Sequence, residues 1–228
     1  KRSYTHTSKT IKNQVALYKK RLNTVNLIWC NQVIDFIQNS KIKSIKDIGC
    51  NYFQFYKELK LRKIKTKYFG YDIDDHFIKL GLVKFPELKK KYKIGNCENI
   101  KLLKTDFSIM SAVLEHVENP IKLLNNVISS TRKIICIRTY LGAKSYKAVA
   151  NNFKNQILPY NCNQFSFTVK NKESISNTIF SGILFPISTV SIGFKVFFIL
   201  DKAANYSQFR LIDNKYKRFM YIAIGIKN

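Results

Sequence analysis

The feature that most limits what this chain can fold into is a repeated unit: a short β run closed by a small or acidic residue, then a stretch of helical periodicity. Ser44 to Gly49 is one such run, with a helical segment near Tyr52 to Leu59 behind it. Lys67 to Asp72 is a second, and Asp74 or Asp75 is placed to cap the helix that follows. Asp106 to Ser111 is another, Pro120 suits the first turn of a helix through about Ser130, and Lys133 to Arg138 is β-rich again. Strands alternating with helices at this spacing pair in parallel through right-handed crossovers. Ahead of them, Thr10 to Asn39 reads as one or two helices. Val25, Ile28, Trp29, Val33, Phe36 and Ile37 recur there at helical spacing behind a cap at Asn23 or Thr24. At the other end, Phe194 to Leu200 and Arg218 to Ile226 are β runs with no full-length helix between them, which predicts an antiparallel pair at a sheet edge. The expected architecture is an open, mostly parallel α/β sheet with helices on both faces, an N-terminal helical cap and an antiparallel C-terminal β pair.

In such sheets ligands bind beyond the carboxyl ends of the strands, where the chain order reverses. Candidate site residues therefore follow strands. Asp47-Ile48-Gly49-Cys50-Asn51-Tyr52-Phe53 follows the first, Asp72-Ile73 closes the second, Gly95-Asn96-Cys97-Glu98-Asn99 follows the third, and Ser111-Ala112-Val113-Leu114-Glu115-His116-Val117-Glu118-Asn119-Pro120 follows the fourth. The first loop resembles motif I of class I S-adenosylmethionine-dependent methyltransferases, of the form D-h-G-x-G-x-G with h apolar. The last segment resembles the L-E-H-V-x-x-P signature of the small-molecule members of that class (methyltransferase type 11/12). The resemblance runs in register over about residues 40 to 142. It implies a Rossmann-like, doubly wound sheet of seven strands, a cap over residues 1–40, a catalytic domain over 41–228, and a segment inserted at about 140–192.

The physical reading of these positions stands beside the resemblance. A glycine at 49 lets the backbone approach a ligand where a Cβ would collide. An acid at a strand end can accept both hydrogen bonds of a ribose diol. The resemblance implies that Asp72 holds the ribose hydroxyls of the S-adenosylmethionine cofactor and that Asp47 orders the loop and approaches the amino group. Asn96 and Cys97 would lie beside the adenine, and Gly49, Cys50, Asn51, Ile73 and Ser111 complete the cofactor site. His116 is the candidate base for an acceptor hydroxyl or amine, since imidazole titrates near neutral pH. Arg138 and Tyr140, at the end of another strand, are candidates for substrate contact. No metal-ligand spacing is present; Asp74-Asp75-His76 is too local to form a site without distant partners. The departures from the family loop are Asn51 and Phe53, which replace its second and third glycines. Asn tolerates the left-handed region; Phe53 does so less readily and motivates a non-catalytic binding protein on the same scaffold as one alternative.

Charge motivates the other alternative. Of 228 residues, 40 are Lys or Arg and 14 are Asp or Glu, a net of +26, and a polyanionic partner such as RNA follows from that sum alone. The basic residues, however, are 33 Lys to 7 Arg, whereas nucleic-acid surfaces favour the bidentate Arg fork. Neither a D-P-P-Y loop nor an RNA-binding module is present. The expectation is methyl transfer to a hydroxyl or amine of a small molecule, with a saccharide or an anionic metabolite as candidate acceptors and a tRNA or rRNA methyltransferase as the alternative. Five scattered cysteines at 30, 50, 97, 136 and 162 and the lack of a signal-peptide pattern predict reduced thiols in the cytoplasm. The uncharged stretch Ser174 to Phe194 is broken by Gly182, Pro186 and Gly193, so membrane insertion is not expected.

Overall fold

Helix α1 (Ile28–Gln38) puts Cys30, Val33, Ile34 and Ile37 on one buried stripe, the spacing of a helix that packs on a sheet. In the computed structural model, which describes residues 27–142, 146–151, 164–171, 194–200 and 219–227 with residues 16, 20, 22 and 23, that stripe joins the main core. The expected cap at Asn23 or Thr24 does not start this helix; Leu27 precedes it and makes no side-chain capping bond. Apolar packing alone fixes its start. Most of residues 1–26 lie outside the described residues.

Strand β1 (Ser44–Ile48) leads into α2 (Gln54–Leu61), and β2 (Lys67–Asp72) leads into α3 (Asp75–Lys84). Asp74 caps α3 by accepting from His76 N at 2.9 Å. Strand β3 (Tyr92–Ile94) is short, β4 (Thr105–Ser111) is buried over six of its seven residues, and α4 (Pro120–Ser129) begins with proline behind Asn119, whose side chain accepts from Lys122 N at 2.9 Å. Strand β5 (Thr131–Gly142) follows.

These strands form the parallel order β3-β2-β1-β4-β5. The C-terminal strand β9 (Phe219–Lys227) pairs antiparallel with β5 along its length, and β8 (Phe194–Leu200) pairs antiparallel with β9. The expected antiparallel end is therefore present. Among the described residues the sheet has nine strands, two more than the expected seven. The additional two, β6 (Tyr146–Asn151) and β7 (Gln164–Asn171), form an antiparallel hairpin inside the segment read as an insertion. It joins β5 through Leu141↔Lys170 and Gly142↔Asn171.

Both faces of the sheet are covered, as a parallel sheet requires. Ile45, Phe107, Ile109, Ile134 and Cys136 face α1 and α2, while Ile48, Met110, Ile135 and Ile137 face α4. Trp29 stacks on Phe55 at 6.1 Å and Phe55 on Phe107 at 6.2 Å, which locks α1 to α2 and both to β4. Lys46 is fully buried on the α4 side. Its Nζ donates to Leu103 O at 3.2 Å, to Ser130 O at 2.6 Å and to Ser130 Oγ, so an ammonium group satisfies carbonyls at the C-terminal end of α4. Burial pushes this ammonium down to about 7. Among the described residues no helix is long and apolar enough to cross a membrane; residues 174–193 of the uncharged stretch lie outside them.

Candidate functional site

Chain order reverses between β1 and β4, so the carboxyl ends of β1, β2, β4 and β5 border one crevice. The loop leaving β1 is tied to β2 by two bonds to one carbonyl: Gly49 N and Cys50 N donate to Tyr71 O at 2.8 and 3.0 Å. Gly49 has φ +71°, and a Cβ there would run into the side chain of Val113. The chain's own β4 loop thus already requires a glycine at this position. Asn51 and Phe53, at φ 50° and 61°, keep left-handed geometry at the positions of the family's second and third glycines.

Phe53 is fully buried, and its ring points away from the crevice. Cβ atoms added to Gly70 on β2 or Gly81 on α3 would meet that ring at 3.0 and 2.7 Å, and Tyr68 packs edge-on at 6.3 Å. Two glycines elsewhere thus make room for the bulk that replaces a third. The steric objection to cofactor binding that Phe53 raised falls on the core side of the loop.

Asp72 joins the first two loops. Its Oδ2 accepts from Asn51 N at 2.7 Å and its Oδ1 from Asp74 N at 3.0 Å. Burial raises its pKa while these amides pull it down. Each oxygen keeps a lone pair for a further donor. Ile73 beside it is 53% exposed, an apolar surface at the mouth. Asn96 spends its Oδ1 on Glu98 N at 2.9 Å, holding the loop after β3. Cys97 lies under that loop, its thiol pushed up to about 12 by burial and by the charge of Asp72. Asn51 Oδ1 is buried with no hydrogen-bond partner.

Ser111 and Arg138 are paired across β4 and β5, and Arg138 Nη1 donates to Ser111 Oγ at 3.3 Å. The guanidinium lies 5.2 Å from the ring centre of Trp29 at the start of α1, an arrangement worth up to about 2 kcal/mol where water is excluded. Ala112 takes φ 54° and donates to Arg138 O at 2.8 Å. His116 ends a 3-10 turn (Leu114–His116), half-buried, with its backbone held by Val113 O at 2.9 Å. The backbone of β7 passes against this turn. Tyr140 pairs through its backbone with Met220; its side chain lies outside the described residues.

Asp72, Ile73, Asn51, Asn96 and Cys97 therefore gather on one side of the crevice, and Ser111, His116 and Arg138 on the other. Two candidates turn inward. The Cys50 thiol packs toward Gly70 in the core. Asp47 is 4% exposed and accepts from Tyr68 Oη at 2.6 Å. Burial pushes the Asp47 carboxyl up to about 7, opposed by the tyrosine bond and assisted by Asp72.

Three contributors were not singled out from sequence. Glu98 is buried and accepts from Glu118 N at 3.2 Å and Asn119 N at 3.0 Å, clamping the loop after β3 to the His116 loop. Val113 braces Gly49, and Trp29 carries Arg138. An acid in a loop otherwise free of charge was the available signal for Glu98; nothing local marks the other two. Among the described residues, no group of three or more His, Cys, Asp and Glu is placed to hold a metal.

The sequence of residues 46–133 matches the family described as "Methyltransferase domain". No protein of curated function matches the chain by sequence. Among solved structures, the N-terminal domain of EvdMO1, crystallised with S-adenosylhomocysteine (SAH) and D-fucose, is similar with a TM-score of 0.57 at 11% identity over 100% of both chains. An S-adenosylmethionine-dependent methyltransferase from Clostridium acetobutylicum gives 0.59 at 10% identity over 93% of this chain and 98% of its own. Magnesium protoporphyrin IX methyltransferase of Synechocystis, solved with SAH, gives 0.57 at 12% over 97% and 95%. At these identities the likeness is one of fold.

Proposed function

We propose that the chain, whose residues 46–133 match the methyltransferase-domain family, is a class I S-adenosylmethionine-dependent methyltransferase that transfers the methyl group to a hydroxyl or amine of a small acceptor, a saccharide or an anionic metabolite, in the crevice between β1 and β4. S-adenosylmethionine, when bound, supplies an electrophilic methyl on a sulfonium. The observation that carries the reading is Asp72. It is a carboxylate at the end of β2, held in place by backbone donors from two loops, with a lone pair left on each oxygen for a vicinal diol. The orphaned Asn51 Oδ1 beside it gives a buried acceptor that an amino or hydroxyl donor would satisfy. Ile73 offers apolar contact to a flat ring, and Asn96 and Cys97 close the same side.

On the acceptor side, His116 accepts the proton of the attacking group and Arg138 orients an electronegative substituent, its plane fixed by Trp29 and Ser111. A saccharide is supported by the likeness to a domain solved with D-fucose. The accommodation of Phe53 by Gly70 and Gly81 supports the catalytic reading over a non-catalytic scaffold. Buried reduced thiols at Cys30, Cys50, Cys97 and Cys136 support a cytoplasmic location.

The test is methyl transfer from labelled cofactor to a panel of sugars, nucleotide-linked sugars and amines. His116→Ala is expected to lower turnover by about 10²- to 10⁴-fold with cofactor affinity unchanged. Full turnover in that variant would remove His116 from the reaction, and transfer only to RNA would replace the small acceptor.

A further inference from the structure

The described charges are unevenly distributed, with lysines gathered at one edge of the sheet. Parallel strands bring their amino ends to one edge of the sheet, opposite the crevice, and the exposed Lys41, Lys43, Lys65, Lys67, Lys104 and Lys133 stand at or just before those ends. The three acids described at this edge are engaged. Asp106 accepts from Lys43 N at 2.9 Å and pairs with Arg132 at 3.3 Å, Glu87 pairs with Lys60 at 2.5 Å, and Asp35 pairs with Arg62. At the carboxyl edge stand Asp72, Asp74, Asp75, Glu98 and Glu118, together with Lys79, Lys122 and Arg138. A compositional excess of lysine raises the count on every surface; it does not concentrate the acids at one edge.

Within the basic edge lies a groove of about 740 Å³, floored by Ile42, Leu59, Ile64 and Tyr56 and rimmed by Lys43, Lys60, Lys63, Lys65 and Lys67. Leu61, on the last turn of α2, and Leu103, before β4, are 53% and 49% exposed. This combination selects among polyanions. Nucleic acid is held by Arg forks and by aromatic faces on which bases stack. The groove's own lining has no Arg, the two described at this edge, Arg62 and Arg132, are paired with Asp35 and Asp106, and the one aromatic is committed elsewhere: Tyr56 packs on Tyr68 at 5.0 Å and Phe85 at 5.4 Å, with its hydroxyl on Glu87 at 3.1 Å. A lipid headgroup layer asks only for point charges beside apolar contact. We propose that the amino edge of the sheet docks the protein on an anionic phospholipid bilayer, which leaves the methyl-transfer crevice facing solvent.

Co-sedimentation with vesicles of phosphatidylcholine containing about one third phosphatidylserine tests this, with pure phosphatidylcholine vesicles and single-stranded RNA as the other arms. The intact chain is expected to bind the anionic vesicles, not the neutral ones, and to release at about 1 M salt. Lys43→Glu/Lys65→Glu lowers binding at least about tenfold, while Lys79→Glu/Lys122→Glu, with the same change of net charge at the other end of the sheet, retains it. All four side chains are exposed, and circular dichroism checks that each variant keeps the fold. Equal loss in both double variants would reduce the effect to net charge and overturn the site. Tighter binding to RNA than to vesicles, or no vesicle binding, would overturn the membrane partner. None of these readouts depends on cofactor binding, so they stand apart from the activity proposed above.

Discussion

Asp47→Asn separates the cost of the buried acid from its use. In the folded chain Asp47 is 4% exposed, takes one hydrogen bond from Tyr68, and titrates near 7 instead of 3.8. A folded pKa above the unfolded one means that the folded state holds a proton the unfolded state has lost between pH 3.8 and about 7. The stabilisation is complete below 3.8 and is lost as pH rises to about 7. The loss amounts to ~4 kcal/mol at 1.36 kcal/mol per pKa unit. Asparagine removes the charge and keeps an acceptor for Tyr68, but buries an amide whose donors need partners, at ~1–3 kcal/mol. The two terms cross. Above pH 8 the variant is more stable than the parent by ~1–3 kcal/mol; the advantage shrinks by ~1.36 kcal/mol per pH unit below about 7, changes sign between about pH 4.5 and 6, and becomes a deficit of ~1–3 kcal/mol only as pH approaches 3.8. Urea unfolding from pH 4.5 to 9 reads the difference directly, and other titrating groups cancel between the two proteins. A stability difference independent of pH would refute the buried-acid account of Asp47.

Lys46 titrates in the opposite sense, with a folded value near 7 below its ordinary 10.5. The parent gains stability as pH rises from about 7 toward 10.5, and Lys46→Met abolishes this rise in urea unfolding. Phe53→Gly, which restores the family glycine, relieves left-handed strain of ~1–2 kcal/mol but empties a packed site worth ~3–5 kcal/mol. Calorimetric melting is expected to fall, with no gain in cofactor affinity. Gly49→Ala forces a Cβ into Val113 at φ +71° and is expected to cost about 3 kcal/mol or more. Adding Val113→Ala recovers only the steric part of that loss, measurable by denaturant midpoint.

The alternation of β runs and helices made the parallel half of the sheet legible, because each strand carries its own apolar run and each helix its own period. Asp74 and Pro120 mark their helix starts as local chemistry dictates. The hairpin β6–β7 escaped notice although Gln164-Phe165-Ser166-Phe167-Thr168-Val169 alternates strictly. Its partner strand lies in a stretch with no such pattern, and pairing is not a local property. The place of Asp72 at the mouth of the crevice was readable because its position at the strand end sets its surroundings. The inward turn of Asp47 and Cys50 was not, because side-chain direction in a turn depends on what packs beneath it, here Tyr68 and Gly70. The same limit made Phe53 look like an obstruction, since the space that receives it is provided by Gly70 and Gly81, 17 and 28 positions further along the chain.

The central claim is that the crevice bordered by Gly49, Asn51 and Asp72 holds the cofactor, and titration of the intact chain with SAH in a calorimeter tests it most directly. A dissociation constant on the order of 1–100 µM, about −8 to −5 kcal/mol, is predicted, with at least about tenfold weaker binding in Asp72→Asn, which trades half of the diol-accepting carboxylate for donors. No heat of binding at millimolar ligand, in protein whose fold is verified, would contradict the account.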